Sequence, residues 1–211
     1  MTGSLRLLRR FGWYRWLVLG VLLAAVMALQ ANGSHRANAV THTYQVNSTA
    51  DTDDGSCDAF SVAPPKDCTL REAINAANAA PNTGVTPDID IITFLSSVFT
   101  VASPGTINLT SALPSIVDDL RINAAGSGVK IDGGGVYDGL NVAADNSDFR
   151  FEILASTGHF ILQDLAGDGV DLDGNGYSFG IVIIDGVQIG APGQDVTGDG
   201  INLYTTPDVN T

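Results

Sequence analysis

The chain has 211 residues, with 10 Lys and Arg against 23 Asp and Glu, a formal charge of −13, and 45% hydrophobic but only 16% charged residues. That apolar fraction excludes a disordered acidic tail. Twenty-four Gly, and Asp at 21 of the 23 acidic positions, exclude a long-helix or coiled-coil protein, because both residues favour turns over helices. A β-rich, turn-rich chain large enough for one ordinary core is expected.

At the N-terminus, Arg6, Arg9, Arg10 and Arg15 precede the apolar run Leu17 to Leu29. This run is shorter than the roughly 20 residues that a spanning helix needs. The layout reads as a secretory signal over residues 1–39, with Ala37-Asn38-Ala39 as the small-x-small cleavage site; an uncleaved anchor is the rival reading. Cleavage removes five of the ten basic residues and no acid, which takes the charge from −13 to −18. So acidic a surface excludes a nucleic-acid partner and attracts cations.

Cys57 and Cys68 are the two cysteines of the chain. In an exported, oxidising setting they are expected to form a disulfide, which closes a short loop and contributes roughly 3 kcal/mol in the chain-entropy view. The competing metal-site reading lacks ligands, with His42 the one nearby candidate. Directly after Cys68, Thr69-Leu70-Arg71-Glu72 has the pattern of a capping box. Leu70, Ala73, Ile74 and Ala77 then give a narrow apolar stripe on a helix running to about Ala80, ahead of Pro81.

Asp53-Asp54-Gly55-Ser56-Cys57-Asp58, followed by Cys68-Thr69-Leu70-Arg71-Glu72-Ala73-Ile74-Asn75-Ala76-Ala77-Asn78, resembles the CSLREA domain, with Thr69 where the signature has Ser. The resemblance runs from about Thr43 to Gly135 through Asp90-Ile91-Ile92-Thr93-Phe94, Ile107-Asn108-Leu109, Leu113-Pro114-Ser115-Ile116 and Lys130-Ile131-Asp132-Gly133. It implies an exported bacterial surface or extracellular protein in which this segment opens a right-handed parallel β-helix of the pectate-lyase-like type. It implies no reaction.

Beyond Thr106, short apolar runs alternate with Gly, Asp and Asn. Leu120-Arg121-Ile122, Val129-Lys130-Ile131, Leu140-Asn141-Val142, Phe149 to Leu154, Phe160-Ile161-Leu162, Val170-Asp171-Leu172, Ile181 to Ile184, Val187-Gln188-Ile189 and Ile201-Asn202-Leu203 are the predicted strands. Asp-Gly turns between them also suit antiparallel hairpins, so a β-sandwich competes with a solenoid. One internal echo favours the solenoid: Gly167-Asp168-Gly169-Val170-Asp171-Leu172 returns thirty-one residues later as Gly198-Asp199-Gly200-Ile201-Asn202-Leu203. The expected fold is an all-β, right-handed parallel β-helix with an N-terminal cap made of the disulfide loop and the short α-helix. Residues 40–105 form the cap and first strands. Residues 106–211 form the coils, and Tyr204 to Thr211 offers neither a capping helix nor an anchor, which reads as a fragment or as an edge that pairs.

Candidates for chemistry are few. Asp171-x-Asp173-x-Asn175-Gly176 matches the first half of a calcium loop, yet Val182 stands where a bidentate Glu is required, so Asp171, Asp173 and Asn175 are candidate calcium ligands against an ordinary polar turn. The cluster Asp51, Asp53, Asp54 and Asp58 has the same two readings. A lyase or hydrolase needs paired carboxylates or a basic residue in a groove, and the exported half offers Arg121, Lys130 and Arg150, the adjacent pair Asp118-Asp119, and a lone His159. No catalytic residue is assigned and no cofactor is required. The functional expectation is a secreted or cell-surface structural, adhesive β-helix that presents a binding face to glycans or other surface components, with a polysaccharide lyase or hydrolase and a calcium-dependent binding module as alternatives.

Overall fold

A computed structural model of the chain describes residues 41–55, 57, 67–80, 89–144, 149–156, 159–174, 179–191, 193 and 196–204. The described residues all belong to one compact unit within residues 38–211. They form β1 (Thr43–Val46), α1 (Leu70–Asn78), β2 (Asp90–Phe94), β3 (Gly105–Asn108), β4 (Leu120–Ala124), β5 (Val129–Asp132), β6 (Leu140–Ala143), β7 (Arg150–Ala155), β8 (Phe160–Gln163), β9 (Val170–Asp173), β10 (Ile181–Asp185), β11 (Val187–Ile189) and β12 (Ile201–Tyr204).

Every strand pairing is parallel, and the strands of one sheet come from successive turns of the chain. The first side of the solenoid is β1-β2-β4-β7-β10, the second β3-β5-β8-β11 and the third β6-β9-β12. Three full turns, β4-β5-β6, β7-β8-β9 and β10-β11-β12, follow a partial one whose third side is the single bridge from Ile116 to Val142. The β-sandwich is thereby excluded, since it is built of antiparallel strands. The register of the top turn repeats the echo seen in the sequence, with Val170 against Ile201 and Leu172 against Leu203.

Alternation within each strand turns this register into columns of like side chains. Ile92, Ile122, Ile153 and Ile184 stack on the first side. Ile107, Ile131, Leu162 and Ile189 stack on the second, and Val142, Leu172 and Leu203 on the third. In the lower turns these residues are sealed from solvent. Each such burial contributes about 1.5–3 kcal/mol, so the stack itself is the core. Phe94, Phe99 and Phe160 fill the lower interior with edge-on ring contacts.

The first turn is closed by α1. Thr69 has extended backbone, its hydroxyl accepts from the Glu72 N–H, and the Glu72 carboxylate accepts from the Thr69 N–H, so the capping box is complete. The helix ends at Asn78, with Ala79 as its C-cap. Its buried stripe of Leu70, Ala73, Ile74 and Ala77 lies against β1 and β2. Polar contacts fix it at both rims. Arg71 donates to the carbonyls of Ser111 and Ala112, and Asn78 clamps the Ser115 carbonyl and the Val117 N–H. The disulfide Cys57–Cys68 ties the preceding loop to the helix start, with Cα atoms 4.6 Å apart.

Candidate functional site

With the interior columns filled, whatever the molecule recognises must be read from the residues that alternate outward. The third side carries the most regular outward ladder. Asn141, Asp171 and Asn202 stand one above the next by register, and the Asp-Gly turns before their strands add Asp138, Asp168 and Asp199 beside them. Part of this ladder is structural. Asp168 Oδ1 accepts from the Asp199 N–H at 2.6 Å, and its Oδ2 accepts from the Asn202 amide at 3.0 Å, so each aspartate of this kind can hold the turn above it. The glycines belong to the same design: a Cβ on Gly139 would overlap the Gly169 carbonyl oxygen, and one on Gly169 would sit 2.5 Å from that of Gly200.

Asp171 is the exception. Its Oδ2 receives a long contact of 3.5 Å from the Asn141 amide, while its Oδ1 is buried with no hydrogen-bond partner. Burial, and then the charges of Asp168, Asp173 and Asp138, push its carboxyl above the usual carboxylate range, an effect that the neighbouring Asn202 amide opposes in part. Of the calcium ligands expected from sequence, Asp171 and Asp173 lie two apart on β9 and therefore on one face. Asn175 lies outside the described residues. Among the described residues no group of three or more His, Cys, Asp or Glu is placed to hold a metal ion.

On the first side, Arg121 of β4 and Glu152 of β7 are register partners, and Arg150 lies two residues before Glu152. The Glu152 carboxylate is 1% exposed and accepts from Arg121 Nε at 2.5 Å and Arg150 Nε at 2.6 Å, while each arginine side chain is 27% exposed. Burial pushes the Glu152 carboxyl up, but the hydrogen bonds and charges of the two arginines outweigh it and hold the group below its ordinary value. Two of the three basic residues that an enzyme would draw on therefore converge with an acid across neighbouring turns. A carboxylate held ionised between two guanidinium groups is a poor proton donor or acceptor. Lys130, on β5, belongs to the second side.

The remaining sequence candidates are absorbed by the scaffold. Asp119 accepts from the Arg150 N–H at 2.7 Å, and Asp118 from the Asp119 N–H. His159 opens β8, where its carbonyl accepts from the Val129 N–H. In the N-terminal cap, Arg71 grips Asp51 through Nε and Nη2, and Thr110 donates to the same carboxylate from its N–H and hydroxyl. Burial raises the Asp51 carboxyl, and these bonds more than offset it, so the group sits below its usual range. Asp53 accepts from the Gly55 N–H and the Asn75 amide. Asp58 lies outside the described residues.

Sequence reading alone missed the Arg121–Glu152–Arg150 junction, although its signal was present. Arg121 and Glu152 are thirty-one residues apart, the same offset as the echo in the glycine turns. Compared with protein-family models, with curated proteins and with solved structures, the chain matches none, so these outward ladders are the ground on which its function rests.

Proposed function

We propose that the chain is an exported surface protein whose solenoid displays the third-side ladder of Asn141, Asp171 and Asn202 as a binding face for glycans. The observation that supports this most is the in-register stacking of planar amide and carboxylate groups on consecutive strands. Neighbouring strands lie about 4.8 Å apart, so the ladder sets hydrogen-bonding groups at a fixed, short repeat along a rigid support. An extended polyhydroxylated ligand can be matched to such a repeat without ordering the protein first, which saves the entropy that flexible binding loops lose. Export and the CSLREA resemblance belong to the same reading: a disulfide and a sealed first turn suit an oxidising exterior.

The test is retardation of the full chain in native gels containing neutral or acidic polysaccharides, followed by binding isotherms. Asn141→Ala and Asn202→Ala are each expected to weaken binding about fivefold, the loss of one hydrogen bond worth roughly 1 kcal/mol, with an unchanged circular dichroism spectrum. No retardation by any polysaccharide overturns the reading.

A second reading, cation-dependent binding, is favoured by one observation. The Asp171 Oδ1 is a buried acceptor without a donor, set among Asp138, Asp168 and Asp173. Calcium then raises the melting temperature and a chelator lowers it. An identical melting temperature with either removes this reading and leaves the first intact.

A further inference from the structure

We infer that the first side carries a second recognition site, in which Arg121 and Arg150 together receive the carboxylate of a uronic acid unit in an acidic glycan. The inference rests on the glycan-binding reading and names a class of glycan within it. Glu152 is the anchor of the pair: its carboxylate is 1% exposed and accepts from Nε of both arginines. One guanidinium suffices to balance one carboxylate. The second leaves a positive charge in excess, on a chain whose formal charge is −13. The rest of each fork reaches solvent. The Nη atoms of Arg121 and Arg150 donate to no described residue other than Glu152, none of them is buried, and each side chain is 27% exposed.

The chemistry of the pair selects a carboxylate. A guanidinium is planar and offers parallel N–H groups that match the two oxygens of a carboxylate. Because Glu152 already holds both side chains, a ligand does not have to order them, which spares the entropy that two free arginines would lose. Neutral residues border the pair in register: the column through Arg121 and Glu152 continues to Ile91 on one side and Ile183 on the other, and Ile181 stands beside Arg150 on the next strand. The excess charge takes one anionic group, whereas the acidic field of the whole chain repels a dense row of them. The glycan that fits therefore carries its carboxylates spaced apart along otherwise neutral sugars.

Glucuronate, glucose and acetate, titrated separately into the full chain, test this through the NMR signals of the arginine Nε–H groups. Glucuronate is expected to shift two of these signals saturably, glucose to shift none, and acetate to bind about tenfold more weakly than glucuronate. Arg121→Lys and Arg150→Lys keep a positive charge opposite Glu152 but lose the fork, and each is expected to weaken glucuronate binding about tenfold with an unchanged circular dichroism spectrum. Lys130→Gln, which removes a cation from the second side, is expected to leave that binding as it was. In native gels hyaluronan, with a carboxylate on every second sugar, is expected to retard the chain more than polygalacturonate, with one on every sugar. The inference is overturned if glucuronate shifts no arginine signal, if acetate matches it, if the folded lysine variants bind it undiminished, or if polygalacturonate retards more strongly. Retardation by a neutral polysaccharide alongside any of these results removes the arginine site alone, whereas retardation by no polysaccharide removes the glycan-binding reading with it.

Discussion

Single residues show how little slack the stack has. Gly169 cannot carry a side chain, because a Cβ there would crowd the Gly200 carbonyl oxygen at 2.5 Å and Ile189 Cγ2 at 2.7 Å. Gly200 occupies the same position one turn higher, where its nearest neighbour would be Ile189 Cδ1 at an ordinary 3.7 Å. Gly169→Ala is therefore expected to cost about 1–3 kcal/mol and Gly200→Ala less than about 0.5 kcal/mol, measured as shifts in the denaturant midpoint. The carboxylates pull in opposite directions with pH. Glu152 and Asp51 sit below their ordinary values, so the stability they contribute is present above the unfolded-state values and is lost as pH falls through the folded ones. Asp171 sits above its ordinary value, so it binds its proton more tightly when folded and its contribution declines as pH rises out of the acidic range. Asp171→Asn is accordingly expected to raise the melting temperature at pH 7 in chelator and to remove that decline. A lower melting temperature in chelator would contradict this account of Asp171.

Among the elements, the N-terminal cap concentrates the interactions that a solenoid lacks elsewhere. Thr69 does double duty, since its hydroxyl accepts from the Glu72 N–H and donates to the Thr52 carbonyl. Thr69→Ala is expected to cost about 1–2 kcal/mol in thermal or chemical unfolding, and reduction of Cys57–Cys68 a further loss of up to roughly 3 kcal/mol. Much of this cap was legible in the sequence, because a capping box and a helical apolar stripe are local signals carried by Thr69, Glu72, Leu70, Ala73 and Ile74. The strands from β4 to β12 were legible for the same reason, as apolar-polar-apolar runs between turn residues. β1 was less so: Tyr44 and Val46 form a run too short to stand out, and they are buried only because β2 and α1 arrive from far along the chain. The third side of the first turn was likewise hidden, since Ile116 joins it by one bridge.

Among the described strands, protection is expected to be greatest in the middle of the stack. Hydrogen exchange should find the amides of β4, β5, β7 and β8, each covered above and below, slowest, and those of β10, β11 and β12 fastest among the strands. Equal protection in all turns would mean that β10, β11 and β12 are covered on both sides as the lower strands are. What remained illegible in the sequence at this scale is which outward residues meet. Arg121, Arg150 and Glu152 come together only because successive turns climb in register, and single-residue patterns carry no sign of that climb until a period is assumed.

The corner joining the first side to the second is built in more than one size. Residues 95–104 make it between β2 and β3 and residues 125–128 between β4 and β5, whereas Gly186 alone makes it between β10 and β11, with φ of +73°. Side-chain phase along the walls is the same after each of these bends. Segment length at this bend can therefore drift over evolutionary time, or be changed by insertion of a foreign peptide, without shifting the frame in which the walls are read.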